Sequence, residues 1–158
     1  WQSEADAQIP PLPNDPERFG PQYIVDSNGD FLAEDPRLLQ GPTQFGLEEA
    51  ARRVRALGGL AIPAHIDRPH NGLMAMLGLW PADLVADAAE VSYNMRPSEA
   101  RRTFRFLPPD LALISNSDAH WLDWMGKAIT IFELAAQPCL EELRRALQRL
   151  DGRCAYVP

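Results

Sequence analysis

An α/β fold is predicted for this 158-residue chain by three features. Helical and strand-like segments alternate from residue 47 onward. Two of the strand-like segments, 60–64 and 111–114, are continuous apolar runs of the kind that is buried on both faces. Each run ends in metal-ligand residue types: His65 after the first, Ser117-Asp118-Ala119-His120 after the second. Proteins of the α/β class place their chemistry at strand ends. The alternation predicts mainly parallel strands with helices outside.

The elements follow in order. Residues 1–22 hold Pro10, Pro11, Pro13, Pro16 and Pro21 and few large apolar groups, which predicts an extended arm ahead of one domain over 23–158. Residues 23–26 read as a short strand, Asn28-Gly29 as a hairpin turn pair and Phe31-Leu32 as the start of the return strand. In 47–57, Leu47, Ala50, Ala51, Val54 and Leu57 share one helical face, and Glu48/Arg52 and Glu49/Arg53 are i,i+4 pairs on another. Gly58 stops that helix. The run 60–64 follows as a strand in which Pro63 marks a bulge, an edge or the last residues.

Gly78 and Pro81 break 73–84 into a short helix and a loop. Residues 88–93 read as a strand, and 98–106 as a helix beginning just after Pro97. A strand over 111–114, a loop or short helix over 121–125 and a strand over 128–133 complete the alternation. Leu140, Leu143, Leu147 and Leu150 form the stripe of a last helix ending at Asp151-Gly152, and 155–157 close as a short strand.

Composition narrows the function classes. An apolar fraction of 46% and a charged fraction of 23% are those of a soluble globular domain. No apolar run is long enough to span a bilayer, and the start lacks the basic and apolar regions of a signal peptide. These features predict a cytoplasmic protein with no membrane attachment. The net charge of -7 and the lack of a basic aromatic patch disfavour a nucleic-acid-binding module. A phosphate-bearing substrate stays open, because bound divalent cations reverse a local field. Cys139 and Cys154, the only two cysteines, have no metal-binding spacing. They read as free thiols of a reducing compartment, with a bridge as the lesser alternative. Glycine-rich phosphate loop, nucleophile elbow and C-x-x-C pair are all missing.

Asp118 and His120 are the candidate catalytic residues. Side chains two apart on extended backbone project to one side, so this carboxylate and imidazole can meet at one metal. The alternative for Asp118 is to cap the turn holding Trp121 and Leu122. His65 taken alone is equally a strand-end imidazole bonded to a carbonyl. Together the three donors suit a divalent Zn, Mn or Fe ion. Arg68, close behind His65, and Asn94 and Arg96, after the 88–93 strand, are candidate phosphate contacts, for which the guanidinium fork is well shaped. Glu90 is an acid within an apolar strand, pointing either inward to a metal or supporting position or outward to solvent. His70 reads as a loop residue.

These motifs resemble the polymerase and histidinol phosphatase (PHP) domain family. Gly58 to His65 resembles the family's strand ending in Ala-His, and Ala89-Glu90-Val91-Ser92-Tyr93-Asn94 its intervening Glu-Val-x-x-Asn strand. Ser117-Asp118-Ala119-His120, with Gly126 shortly after, resembles its final Ser-Asp-x-His motif, and residues 19–26 are similar to members related to metal-dependent phosphoesterases. The resemblance implies a distorted (β/α) barrel with a multi-metal centre at the C-terminal strand ends. It also implies hydrolysis of phosphate esters on small molecules or nucleic-acid ends, with His65, Asp118 and His120 as ligands.

The family's first strand carries a His-x-His motif, and nothing before His65 in this chain is a histidine. The expectation is therefore an incomplete barrel: the C-terminal part of a PHP domain, with its remaining ligands supplied in trans. Another chain or a second copy would complete the sheet, because open sheet edges invite pairing. The alternative is a non-catalytic remnant that acts as a binding or assembly module.

Overall fold

The computed structural model describes residues 1–158, which form two compact units, 1–46 and 47–158. In the first unit the prolines punctuate the chain where an extended arm was expected. Gln2–Asp6 (α1) and Pro16–Phe19 (α2) are short helices, and Pro13 bridges to Arg37. The Asp15 carboxylate caps α2 by accepting from the Glu17 N–H, and Pro16 sits where a helix has no use for an N–H. Arg37 bonds Asp35 at 2.6 Å and Asp6 at 2.8 Å. That guanidinium holds the Asp35 carboxyl down at about 2.

The expected hairpin is present, with Tyr23–Val25 (β1) antiparallel to Phe31–Glu34 (β2). Its turn is wider than an Asn-Gly pair. The Asp26 carboxylate accepts from the N–H groups of Asn28 and Asp30, and Gly29 takes φ +88°. Every residue of both strands is exposed, and Tyr23 meets Phe31 edge-on at 5.5 Å.

The second unit begins with the predicted helix, Leu47–Ala56 (α3), which Gly58 ends at φ +81°. Residues 60–64 do not form the regular strand expected of them. Pro63 has no N–H to give to a ladder, and the segment instead makes spaced bonds to its neighbour. That neighbour is Ala88–Val91 (β3): Asp87 N–H donates to the Ala61 carbonyl, Glu90 N–H to Pro63, and Ile66 N–H to Glu90.

On its other edge β3 pairs in parallel with Ala112–Ser115 (β4), Glu90 opposite Ile114. Beyond β4 the sheet continues through hydroxyls. The Thr130 hydroxyl accepts from Ser115 N–H and donates to its carbonyl, and the Ser117 hydroxyl does the same for Ala128. Ile131–Glu133 (β5) then pairs antiparallel with Cys154–Tyr156 (β6). The expected run of parallel strands is thus reduced to one parallel pair among three two-stranded sheets, and no barrel closes.

Alternation along β3 separates two apolar clusters. Ala89 and Val91 pack with Ile66, Trp80, Leu84 and Leu107, whereas Ala88 packs with Ile114, Leu147 and Ala155. The helices Leu73–Leu77 (α4), Pro97–Thr103 (α5) and Leu140–Leu147 (α6) contribute to these clusters. Of them, α6 stops short of the expected Leu150. No helix is long and apolar enough to cross a membrane.

Two buried ion networks fix the second unit. Asp87, at the foot of β3, pairs with Arg55 of α3 at 2.6 Å. Glu142, on α6, forks onto Arg153 with two 2.8 Å bonds and accepts from the N–H groups of Ala135 and Ala136. The Arg153 bonds are the main reason its carboxyl is pulled from 4.5 to about 2. The folded state therefore binds this proton less readily than the unfolded chain does. The stability it contributes is complete above about 4.5 and is lost as pH falls toward about 2. Urea melts at stepped pH are expected to show a shallower acid loss for Glu142→Gln than for the wild type. Equal slopes would mean the fork contributes nothing.

Candidate metal and phosphate site

The ends of the 60–66 segment, β3 and β4 carry the sequence-selected residues. His65 and Asp118 both adopt left-handed backbone, with φ +30° and +46°. Asp and His tolerate this region better than most residues, but it is strained, and such strain concentrates at functional sites. Arg68 reaches Asp118 with a 2.7 Å ion pair, joining the His65 loop to the β4 tip across fifty residues of sequence (118 - 68 = 50). Asp67, beside Arg68, is a brace. Its carboxylate accepts from the Ser92 N–H and hydroxyl, each at 2.6 Å, and so ties the same loop to the end of β3.

Glu90 stands half-buried in β3 among these groups. Burial pushes its carboxyl up, with Asp118 and Asp67 adding to the rise, while His65 and Arg68 oppose it. One electrostatic neighbourhood therefore contains His65, Asp67, Arg68, Glu90 and Asp118. An acid whose folded pKa is raised costs stability once pH exceeds its unfolded value. In EDTA, Glu90→Gln is expected to raise the urea midpoint at pH 7 and to leave it unchanged at pH 4. A lowered midpoint at pH 7 would show that the charge is well compensated.

The convergence of Asp118 and His120 from extended backbone does not occur. The strand β4 ends at Ser115, and the positive φ of Asp118 breaks the two-residue alternation. His120 is exposed, and its Nδ1 lies 2.8 Å from the Asp118 carbonyl oxygen. The alternative role of Asp118 as cap of the following turn is not adopted either: Leu122–Trp124 forms a single 3-10 turn with no side-chain cap. Arg68, expected on phosphate, is engaged by Asp118. Asn94 and Arg96 are exposed after β3, the Asn94 N–H donating to the Ser92 hydroxyl. His70 is an exposed loop residue, as read from sequence.

Whether these residues suit a divalent cation is tested by one buried atom. The Nδ1 of His65 is buried and has no hydrogen-bond partner. With Glu90 and Asp118 in its neighbourhood, the donor set is of the imidazole and carboxylate kind that binds Zn, Mn or Fe. Kind and neighbourhood fit. The gathering is incomplete, since no three His, Cys, Asp or Glu side chains are drawn together closely enough to hold an ion.

No protein-family model matches the chain. The chain is 27% identical over 148 residues to a highly reducing polyketide synthase, milA, of Cordyceps militaris, an alignment covering 92% of this chain and 5% of that protein. Its fold is similar to the crystal structure of PfuEndoQ, a lesion-specific endonuclease from Pyrococcus furiosus, with a TM-score of 0.59 and 24% identity. The match covers 72% of this chain and 29% of the endonuclease. The chain folds like part of that enzyme. The architecture is thus a small mixed α/β domain without a closed barrel, similar to portions of longer proteins.

Sequence reasoning missed two features. Asp67 is a polar neighbour of the strand tip in the sequence but no candidate site residue, although an acid two residues past a strand-end histidine is well placed to hold the next strand. Lys127 was not singled out either. It lies over the rings of Trp124 and Tyr93, and its signal was the aromatic pair Trp121 and Trp124 just before Gly126-Lys127.

Proposed function

We propose that this chain is the C-terminal part of a PHP-type, metal-dependent phosphoesterase domain. His65, Glu90, Asp118 and His120 would supply part of a divalent metal site, with the remaining ligands coming from outside these 158 residues. The observation that carries this reading is the shared neighbourhood of His65, Glu90 and Asp118 at the strand ends, with a buried and partnerless imidazole nitrogen. The likeness of the chain's fold to part of a lesion-specific endonuclease supports the same reading.

A divalent cation held there supplies Lewis acidity and an activated water. The chain's own residues do the rest. Arg68 offers a planar fork to a phosphate oxygen, releasing Asp118 as it turns to the substrate. Asp67 keeps that loop fixed on β3 through Ser92. Asn94 and Arg96 stand next to it and extend the polar rim.

The Arg68–Asp118 pair also favours a second reading, a non-catalytic remnant used for binding or assembly, in which a guanidinium neutralises what a metal otherwise would. In either case a second copy or another chain completes the sheet. Calorimetric titration of the full chain with Mn2+ or Zn2+, followed by assay on a generic phosphodiester, separates the two. Binding with turnover fits the enzyme, and binding without turnover fits the remnant. No binding at all sinks the metal site.

A further inference from the structure

Past the pairing of Ser92 with Asp67, the chain after β3 enters a concave surface of which the site described above uses only Arg96. A cleft of about 230 Å³ is lined by Tyr93, Arg96, Ser115, Lys127 and Ile129 among others. Its charged side chains are both cations, Arg96 and Lys127, and no acidic side chain lines it. The Lys127 ammonium is held by aromatic rings, 4.4 Å from the centre of Trp124 and 5.7 Å from that of Tyr93. Those two rings meet edge-on at 6.2 Å. On a chain of net charge -7, a concavity whose charged side chains are both cationic is a local exception to the overall field.

The cleft adjoins the strand tips through the backbone. Tyr93 follows Ser92, which holds Asp67, and Ser115 precedes Asp118 by three residues. Three residues span at most about 11 Å. A ligand phosphate held by Arg68, the partner of Asp118, therefore lies within reach of a second phosphate in the cleft. Two neighbouring anion sites with aromatic and apolar surface beside them match a polynucleotide strand, whose phosphates repeat and whose bases present flat apolar faces.

We propose that the Arg96–Lys127 cleft is a second phosphate subsite, so that the substrate is a single nucleic-acid strand and not a lone phosphate ester. The substrate class rests on the phosphoesterase reading, but strand binding in the cleft does not need the metal. The disfavour shown to nucleic acid by composition reflects the scatter of residues 93, 96, 124 and 127 in sequence, which the fold assembles into one basic aromatic patch.

The test is fluorescence anisotropy of a short fluorescein-labelled oligothymidylate with the full chain, in EDTA and at low salt. Arg96→Gln with Lys127→Gln is expected to weaken binding about 10-fold or more and to lower the slope of log K against log salt by roughly 1.4, the loss of two single-strand phosphate contacts. Lys127→Arg should keep wild-type affinity, and circular dichroism should be unchanged, which sets aside misfolding. Strand binding is read in EDTA and metal binding in a separate titration, so a failed metal site and a failed cleft give different patterns. Three results overturn the proposal: no binding by the wild type, equal binding by the Gln double variant, or inorganic phosphate competing as well as unlabelled strand.

Discussion

Alanine at both Asp118 and His120 is expected to lower the affinity of the chain for Mn2+ or Zn2+ by about 100-fold or more. Loss of groups that merely support a ligand costs 10- to 100-fold, so removing two donors at once should exceed that range. The effect is large because Asp118 acts electrostatically on the same Glu90 as the partnerless imidazole of His65, and Arg68 is the cation paired with it directly. Isothermal titration of wild type and double variant reads it. Phosphodiester turnover, if present in the wild type, should fall with it. Equally poor metal binding by both proteins would end the metal-site reading, whatever happens at the cleft.

Asp87→Ala is expected to cost about 2–4 kcal/mol of folding free energy, toward the lower part of what breaking a buried ion pair costs. The Asp87 side chain is 1% exposed and accepts from Arg55 at 2.6 Å and from the Ala61 N–H at 2.8 Å, with Arg144 at 3.8 Å. It thereby joins the end of α3, the start of the 60–66 segment and α6 at the foot of β3. Its loss orphans a buried N–H, whereas Arg55 and Arg144, at 33% and 23% exposure, can recover water. That difference keeps the cost below the extreme. Asp87→Asn should cost less than Asp87→Ala, because its amide oxygen can still accept from Ala61. Urea unfolding of the three proteins measures both differences, and an alanine variant as stable as the wild type would refute the network's importance.

Much of the second unit was legible because its signals are local. The apolar stripe from Leu47 to Leu57 and the glycine after it suffice for α3, and the runs ending in Val91 and Ile114 suffice for β3 and β4. The hairpin at 23–34 follows from its turn residues. Residues 60–64 were misread because an apolar run shows burial but not hydrogen bonding, and Pro63 removes a donor at the point where the ladder needs one. The two short helices within the first 22 residues carry no periodic signal, and proline fixes φ in helix starts as readily as in extended chain, as at Pro16.

The sequence alone determined which residue types stand at the strand ends, since burial pattern and chain order place His65, Glu90 and Asp118 near them without further information. The tertiary structure decided what those residues face. The positive φ of Asp118, its pairing with Arg68, the hold of Asp67 on Ser92 and the seat of Lys127 on Trp124 and Tyr93 each depend on contacts. Three of those pairings cross 25 residues or more (118 - 68, 92 - 67 and 127 - 93). Periodicity reports a side chain's direction only while the backbone stays regular, and at the tips of these strands it does not.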